Sequence, residues 1–322
     1  MLRRRLLVVT GKGGTGKSTV AAALGVVAAR EGRRTIVAEV AQRTDVPRSL
    51  GAAAGEPFAE TPLRDGLWHI SIDPADALRE YLHDQLPSDT LARMLGGSRS
   101  FALLASATPG LAELLSMGKV WELGQAQRRT RGAEPYDLVI LDAPATGHGL
   151  ATLVAPSAFA RAAAAGPVAR QGRLIHDWLT DPRNTGVLAV ARAEALPVAE
   201  TIALAGDLRE QLGLGLGAVV VNGLSAQRFG REDEARLREA LAARSGGTAG
   251  EGDGDPVVFA LGRALADLAV ARGERRQVER LRRAVSLPPL RLPFAVREEG
   301  EADLAVLADA LERELARKAA EA

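Results

Sequence analysis

Nine consecutive residues near the start of the chain, Gly11-Lys12-Gly13-Gly14-Thr15-Gly16-Lys17-Ser18-Thr19, interleave glycines with two lysines and three hydroxyl side chains. That combination suits a phosphate. Glycines let successive backbone N–H groups turn inward around phosphate oxygens, and a helix opening behind them adds the positive end of its dipole. The spacing is G-x-x-x-x-G-K-[ST], in which Lys17 reaches the terminal phosphates and the Ser18 hydroxyl takes Mg²⁺. Gly11, Gly13, Gly14, Thr15, Gly16, Lys17, Ser18 and Thr19 are therefore the expected nucleotide ligands. Lysine occurs only at positions 12, 17, 119 and 318 among 41 Lys and Arg residues, so half of the lysines fall in this loop. A compact ammonium packs among glycines where a planar guanidinium is bulky.

A second chemical signal ends the apolar run Tyr136-Asp137-Leu138-Val139-Ile140-Leu141-Asp142. A carboxylate at the end of a buried strand, paired with a phosphate loop, is the usual holder of magnesium in such sites. Asp142 joins Ser18 as the expected metal ligand pair.

The elements that must position these groups follow from alternation. Short apolar runs at Leu6–Thr10, Thr35–Val40, Leu67–Ile72, Leu138–Asp142, Val187–Ala191, Ala218–Asn222 and Ser286–Leu292 are separated by longer amphipathic stretches. The pattern predicts an α/β fold with a mainly parallel central sheet flanked by helices. Asp73-Pro74 and Pro109-Gly110 read as helix starts, the second opening a helix expected over Leu111–Arg131. The stretch between Ile72 and Leu138 is too long for a simple crossover and predicts a helical insertion. We expect one domain over residues 1–322, with a helical subdomain from about 75–131 and 157–181. The glycine-rich run at 245–255 reads as a flexible loop.

Composition narrows the class. With 322 residues, 47% hydrophobic, 25% charged and a net charge of +1, the chain resembles an ordinary globular protein and not a nucleic-acid binder. Arg3, Arg4 and Arg5 precede a strand and read as its solvated entry. Cysteine is absent, which removes disulfides, thiolate metal sites and Cys nucleophiles. The four histidines lack ligand spacing, so zinc is not expected. No apolar run reaches membrane-spanning length and no signal-peptide core is visible, so the cytoplasm is the expected location.

The stretch Asp142-Ala143-Pro144-Ala145-Thr146-Gly147-His148-Gly149-Leu150 resembles the switch II segment of the arsenical-pump-driving (ArsA) ATPases. That family includes factors that deliver tail-anchored proteins to membranes. Lys12-Gly13-Gly14-Thr15-Gly16-Lys17-Ser18 is similar to its deviant P-loop. Further similarities run through Ser71–Pro74 with Glu80-Tyr81-Leu82, Pro109–Leu115, Leu179–Pro182, Pro197 with Glu200-Thr201, and Val220–Asn222. The resemblance implies an ATPase using ATP and Mg²⁺, working as a homodimer or as a heterodimer with a related ATPase, and coupled to a membrane-protein client or a transporter. It implies that Lys12 crosses a dimer interface to the partner's phosphates and that Asn222 hydrogen-bonds adenine, although Asn222 before Gly223 also reads as a turn residue. It places Pro293 and Phe294 along the base, and gives His148 a loop-shaping role.

Three departures qualify that picture. Cysteine pairs that hold zinc in the targeting factors are missing, as are the cysteines of arsenite-stimulated pumps. The switch I segment usually carries S-T-D-P in the family; here that stretch reads Ala38-Glu39-Val40-Ala41-Gln42-Arg43-Thr44-Asp45, and a gapless match puts Ala41 at the water-positioning aspartate. The role then falls to Glu39, to Asp45 or to a partner subunit, or hydrolysis is slow; Lys12, Lys17, Glu39, Asp45 and Asp142 form the expected catalytic set. Two alternatives stay open: a weakly hydrolysing nucleotide-binding subunit, and a partitioning or division-site ATPase. The latter uses a basic surface or a terminal membrane helix, whereas Glu301–Ala322 is alternately charged and reads as a core-packing helix.

Overall fold

Leu6–Thr10 is apolar at every position but the last and is buried throughout, which fits a strand covered on both faces. It forms β1, the centre of the sheet in the computed structural model, which describes residues 1–85, 108–130, 132–163, 166–245, 255–296 and 303–321. The chain continues through α1 (Lys17–Arg30), β2 (Thr35–Val40), α2 (Asp45–Ser49), β3 (Thr61–Arg64), β4 (Leu67–Ile72), α3 (Pro74–Gln85), α4 (Leu111–Leu123) and β5 (Leu138–Asp142). It then runs through α5 (Thr146–Ala162), α6 (Pro167–Thr180), β6 (Thr185–Arg192), α7 (Ala195–Leu212) and β7 (Ala218–Leu224). The last described elements are α8 (Arg231–Ser245), α9 (Pro256–Val285), β8 (Leu290–Pro293) and α10 (Leu304–Ala320).

The eight strands form one sheet in the order β3-β4-β2-β5-β1-β6-β7-β8. Every pairing is parallel except β3 with β4. The predicted α/β fold is present. β1 lies where the strand order reverses, and in open parallel sheets ligands gather beyond the carboxyl ends at such a point. Register brings the chemistry there: Asp142 sits opposite Val9 on one side and opposite Glu39 on the other.

Two apolar layers hold the sheet. One packs Val8, Ile36, Leu141 and Val187 under Met117, Leu153, Ile175 and Val278 of the α4–α6 and α9 side. The other packs Leu7, Val37 and Ile140 under α1 and α10, through Val20, Leu24, Leu307 and Leu311. Each fully buried side chain of this kind contributes about 1.5–3 kcal/mol. The C-terminal stretch is a core-packing helix, as its pattern predicts.

Four details differ from the sequence reading. β3 is an additional antiparallel edge strand, joined to β4 by a tight turn at Asp65-Gly66; its short, proline-bearing sequence gives little strand signal. The strand predicted at Ser286–Leu292 starts at Leu290, because α9 runs to Val285 and Ser286 closes it in a left-handed conformation (φ 55°). α4 ends at Leu123 before Gly124, short of Arg131. β6 and β7 each extend past their predicted limits. The Asp73 start holds: its Oδ1 accepts from the N–H groups of Ala75 and Asp76. Residues 86–107 of the predicted helical insertion and most of the predicted loop at 245–255 lie outside the described residues. Among the described residues, no helix is long and apolar enough to cross a membrane.

Candidate nucleotide site

The glycine loop leaves β1 through Gly11, whose φ of 144° suits only glycine. A Cβ there would lie 2.2 Å from the Val190 carbonyl oxygen of the neighbouring strand. The loop closes at Gly16 (φ 86°) and α1 begins at Lys17. Two internal bonds set its shape, from Thr15 Oγ1 to the Lys12 carbonyl at 2.9 Å and from Lys17 Nζ to the same carbonyl at 3.0 Å. Burial pushes the Lys17 ammonium below its ordinary value, with Arg43 adding to the fall and Asp142 opposing it.

At the N-terminus of α1 the two expected metal ligands meet. Ser18 Oγ donates to Asp142 Oδ2 at 2.6 Å. Asp142 is fully buried, and its Oδ1 has no hydrogen-bond partner among the described residues. Burial raises its pKa, against the pull of Arg43 and the Ser18 hydroxyl. A hydroxyl beside a carboxylate with a spare oxygen fits Mg²⁺, which takes few protein ligands and keeps waters or phosphate oxygens for the rest. When bound, the metal would neutralise charge on the phosphates. No cluster of three or more His, Cys, Asp or Glu side chains suited to a metal occurs among the described residues, so Ser18 and Asp142 are the donors at hand.

Arg43 enters the same place, and sequence reasoning missed it. Its Nη2 lies 2.7 Å from Ser18 Oγ and 2.5 Å from Asp142 Oδ2. Its Nε donates to Asp45 Oδ2 at 3.1 Å, and Glu39 Oε1 stands 3.6 Å away. Burial works against its charge, but the carboxylates of Asp142, Asp45 and Glu39 outweigh it and hold the pKa above the ordinary value. The stretch carries no motif that singles out an arginine; only the fold brings position 43 to position 142.

Glu39, at 0% exposure, is committed elsewhere. It accepts from the backbone N–H groups of Asp45 and Val46 at 3.1 and 3.0 Å, and lies 3.0 Å from His69 Nε2. It thus caps α2 from beneath and anchors the segment between β2 and α2 to β4. Asp45 sits at the mouth and pairs with Arg43 and Arg48. Between them Ala41 (φ 61°) and Gln42 (φ 57°) form a left-handed turn, with Gln42 bound to Asp73 Oδ2 at 2.6 Å.

The remaining expected residues divide. Lys12 pairs within its own chain with Glu200 Oε1 of α7 at 2.8 Å. Asn222 reaches the loop, donating Nδ2 to the Thr15 carbonyl at 2.9 Å. Pro293 ends β8, three strands from β1, and Phe294 follows it; Phe294 is 64% exposed, its N–H bound to the Leu224 carbonyl. The side chain of His148 lies outside the described residues. A cavity of about 690 Å³ opens over Gly16, Lys17, Ser18 and Arg43, with Arg48 and Asp45 at its rim. Its volume and its excess of cations suit a phosphorylated ligand.

Known proteins resemble this chain in sequence. Residues 4–164 match the family described as Anion-transporting ATPase (ArsA), 161 of 322 residues, which takes in β1 through α5. The ATPase BagA of Mycobacterium tuberculosis is 34% identical over 233 residues, covering 68% of this chain and 64% of that protein. The arsenical pump-driving ATPase of Acidiphilium multivorum is 27% identical over 263 residues, 73% of this chain and 43% of that protein. The ATPase GET3 of Chaetomium globosum is 32% identical over 164 residues, 50% of this chain and 45% of that protein. The chain thus spans less than two thirds of the length of each of these relatives. With the family match falling on the elements that build the site, the chain belongs to the anion-transporting ATPase (ArsA) family.

Proposed function

We propose that this protein binds Mg-ATP at the Gly11–Thr19 loop, hydrolyses it, and uses its nucleotide state to open and close a dimer coupled to a membrane-protein client or a transporter. The observation that carries the reading is the Ser18–Asp142 hydrogen bond at 2.6 Å beside Lys17 at the start of α1. In this reading the loop amides and Lys17 hold the phosphates, and Ser18 and Asp142 hold the metal. Asn222 keeps its carbonyl oxygen for the base, and Phe294 supplies a face to it. Lys12 leaves Glu200 and crosses to a partner subunit, either a second copy or a related ATPase. The helical layer of α3 to α6 is the part that transmits the change.

A slow hydrolytic step is favoured by one specific observation. Glu39 spends both oxygens on the switch backbone and His69, and Asp45 is paired with two arginines. Neither carboxylate is disposed to orient a water without rearrangement, and Ala41 has none to offer. This supports weak turnover by the isolated protein, or turnover completed by its partner.

Lys17→Ala tests the core of the proposal. Calorimetric titration with ATP and Mg²⁺ should show saturable binding by the parent and none by the variant, with both equally folded by circular dichroism. Equal affinity in the two would overturn it.

A further inference from the structure

We infer that Arg43 is a built-in counter-cation of Ser18 and Asp142 that competes with magnesium for those two ligands, and so sets how strongly nucleotide binding depends on the metal. The inference rests on the nucleotide site proposed above. It begins with the guanidinium, whose Nη2 stands at hydrogen-bond distance from both Ser18 Oγ and Asp142 Oδ2. Those are the hydroxyl and the carboxylate that the site offers to Mg²⁺. A guanidinium N–H occupies one of the two Ser18 lone pairs and sets a positive charge where a metal would approach, and Mg²⁺ demands close, nearly octahedral oxygen contacts. Both cations cannot hold the same pair of atoms at once.

The position of Arg43 is built, not incidental. Glu39 fixes the backbone at Asp45 and Val46, two and three residues beyond it. Gln42, immediately before it, is tied to Asp73, and the left-handed pair Ala41–Gln42 turns the chain back toward α1. Asp45 holds the guanidinium from its Nε side. The arrangement also answers a physical need: a fully buried carboxylate at Asp142 is costly without a cation, and Arg43 supplies one. Asp142 Oδ1 stays unpaired while Oδ2 carries both Ser18 and Arg43, so the contested atoms are Oδ2 and the Ser18 oxygen.

Two consequences follow. Without metal, Arg43 should support the nucleotide's phosphates by shielding them from Asp142, so binding in chelator stays appreciable. With metal, Mg²⁺ must displace the guanidinium, so its net gain is small. Removing Arg43 should lower metal-free affinity and sharpen metal dependence together, a combination that simple loss of a phosphate ligand does not give.

The experiment titrates a fluorescent ADP analogue into parent, Arg43→Gln and Arg43→Lys, each in EDTA and in saturating Mg²⁺. The ratio of affinity with metal to affinity without it should be at least about tenfold larger for Arg43→Gln than for the parent. Titrating Mg²⁺ into nucleotide-loaded protein should give a midpoint lower in Arg43→Gln by about the same factor. Arg43→Lys, which keeps the charge but reaches only one ligand well, should fall between, and it carries the test if the glutamine variant does not fold. An unchanged ratio in the folded variants, with nucleotide binding intact, would overturn the inference and leave the nucleotide site standing. A parent that binds no nucleotide in either buffer would overturn both.

Discussion

The side-chain amide of Asn222 donates to the carbonyl of Thr15 at 2.9 Å, which ties β7 to the turn of the glycine loop across the face of β6. A Cβ at Gly16 would lie 2.3 Å from that same nitrogen, and Gly16 has φ 86°. Glycine at 16 is therefore required twice, by its backbone conformation and by the neighbour it admits. Gly16→Ala should lose about 1–3 kcal/mol of stability, from left-handed strain and the displaced hydrogen bond, together with most nucleotide affinity. Gly13→Ala is the control for stability, because its Cβ would meet nothing closer than Ala145 at 3.9 Å. Urea denaturation compares the two variants, and nucleotide titration checks Gly16→Ala. Equal losses of stability at 13 and 16 would defeat the account.

How much of this was legible beforehand depends on range. The glycine loop, β1 and α1 form one continuous local pattern, and Asp142 closes an uninterrupted apolar strand, so these were readable from residue types alone. Arg43 was not. Its partners are 25 and 99 positions away, and the left-handed turn that aims it contains no glycine. Glu39 carried the opposite difficulty: its place at a strand end suggested chemistry with a water. Only the register against β4, which sets His69 two residues short of the position facing Glu39, reveals a carboxylate already satisfied. The edge strand β3 was hidden by its proline and its brevity.

Glu39 should therefore behave as a holding group. Glu39→Gln replaces an acceptor of three hydrogen bonds by an amide with one acceptor oxygen, leaving buried partners unpaired at a cost of about 1–3 kcal/mol. Thermal unfolding should shift downward, and any phosphate release should fall with it. His69→Ala should reproduce part of both effects from the other side of the pair. A variant of unaltered stability that loses turnover alone would return Glu39 to the water-positioning role.

The pair of Lys12 with Glu200 at 2.8 Å is partly exposed, 31% and 32% on its two sides, and such surface pairs contribute about 0–1 kcal/mol. Glu200→Gln should leave stability within about that range. If Lys12 acts across a dimer, the same change frees it and should strengthen ATP-dependent self-association. Lys12→Ala should weaken it. Analytical ultracentrifugation with a non-hydrolysable ATP analogue reads both directions, and identical sedimentation of parent and both variants would remove the trans role.

Acid sensitivity should come from a buried cluster on the helical side of the sheet. Arg128 donates to Glu122 at 2.8 Å and to Glu60 at 2.5 Å, Tyr136 donates to Glu60 at 2.7 Å, and Lys119 Nζ stands 3.2 Å from Glu122. Burial opposes the charge on Glu122, yet Arg128 and Lys119 more than offset it and hold its pKa below the ordinary 4.5. A carboxylate whose folded pKa is depressed stabilises the fold above its unfolded value and loses that contribution as pH falls through the folded one. The window therefore opens near pH 4.5 and extends downward. Glu122→Gln should cost about 2–3 kcal/mol at pH 7, toward the low end for a broken buried pair because Arg128 and Lys119 keep Glu60 and Glu80. The parent should then lose its advantage over the variant progressively as pH falls from about 4.5 through the lower folded pKa of Glu122. Urea titrations of both proteins at neutral pH and across the acid range give the difference directly. A gap that stays constant with pH would show that the ionised Glu122 does not hold this cluster.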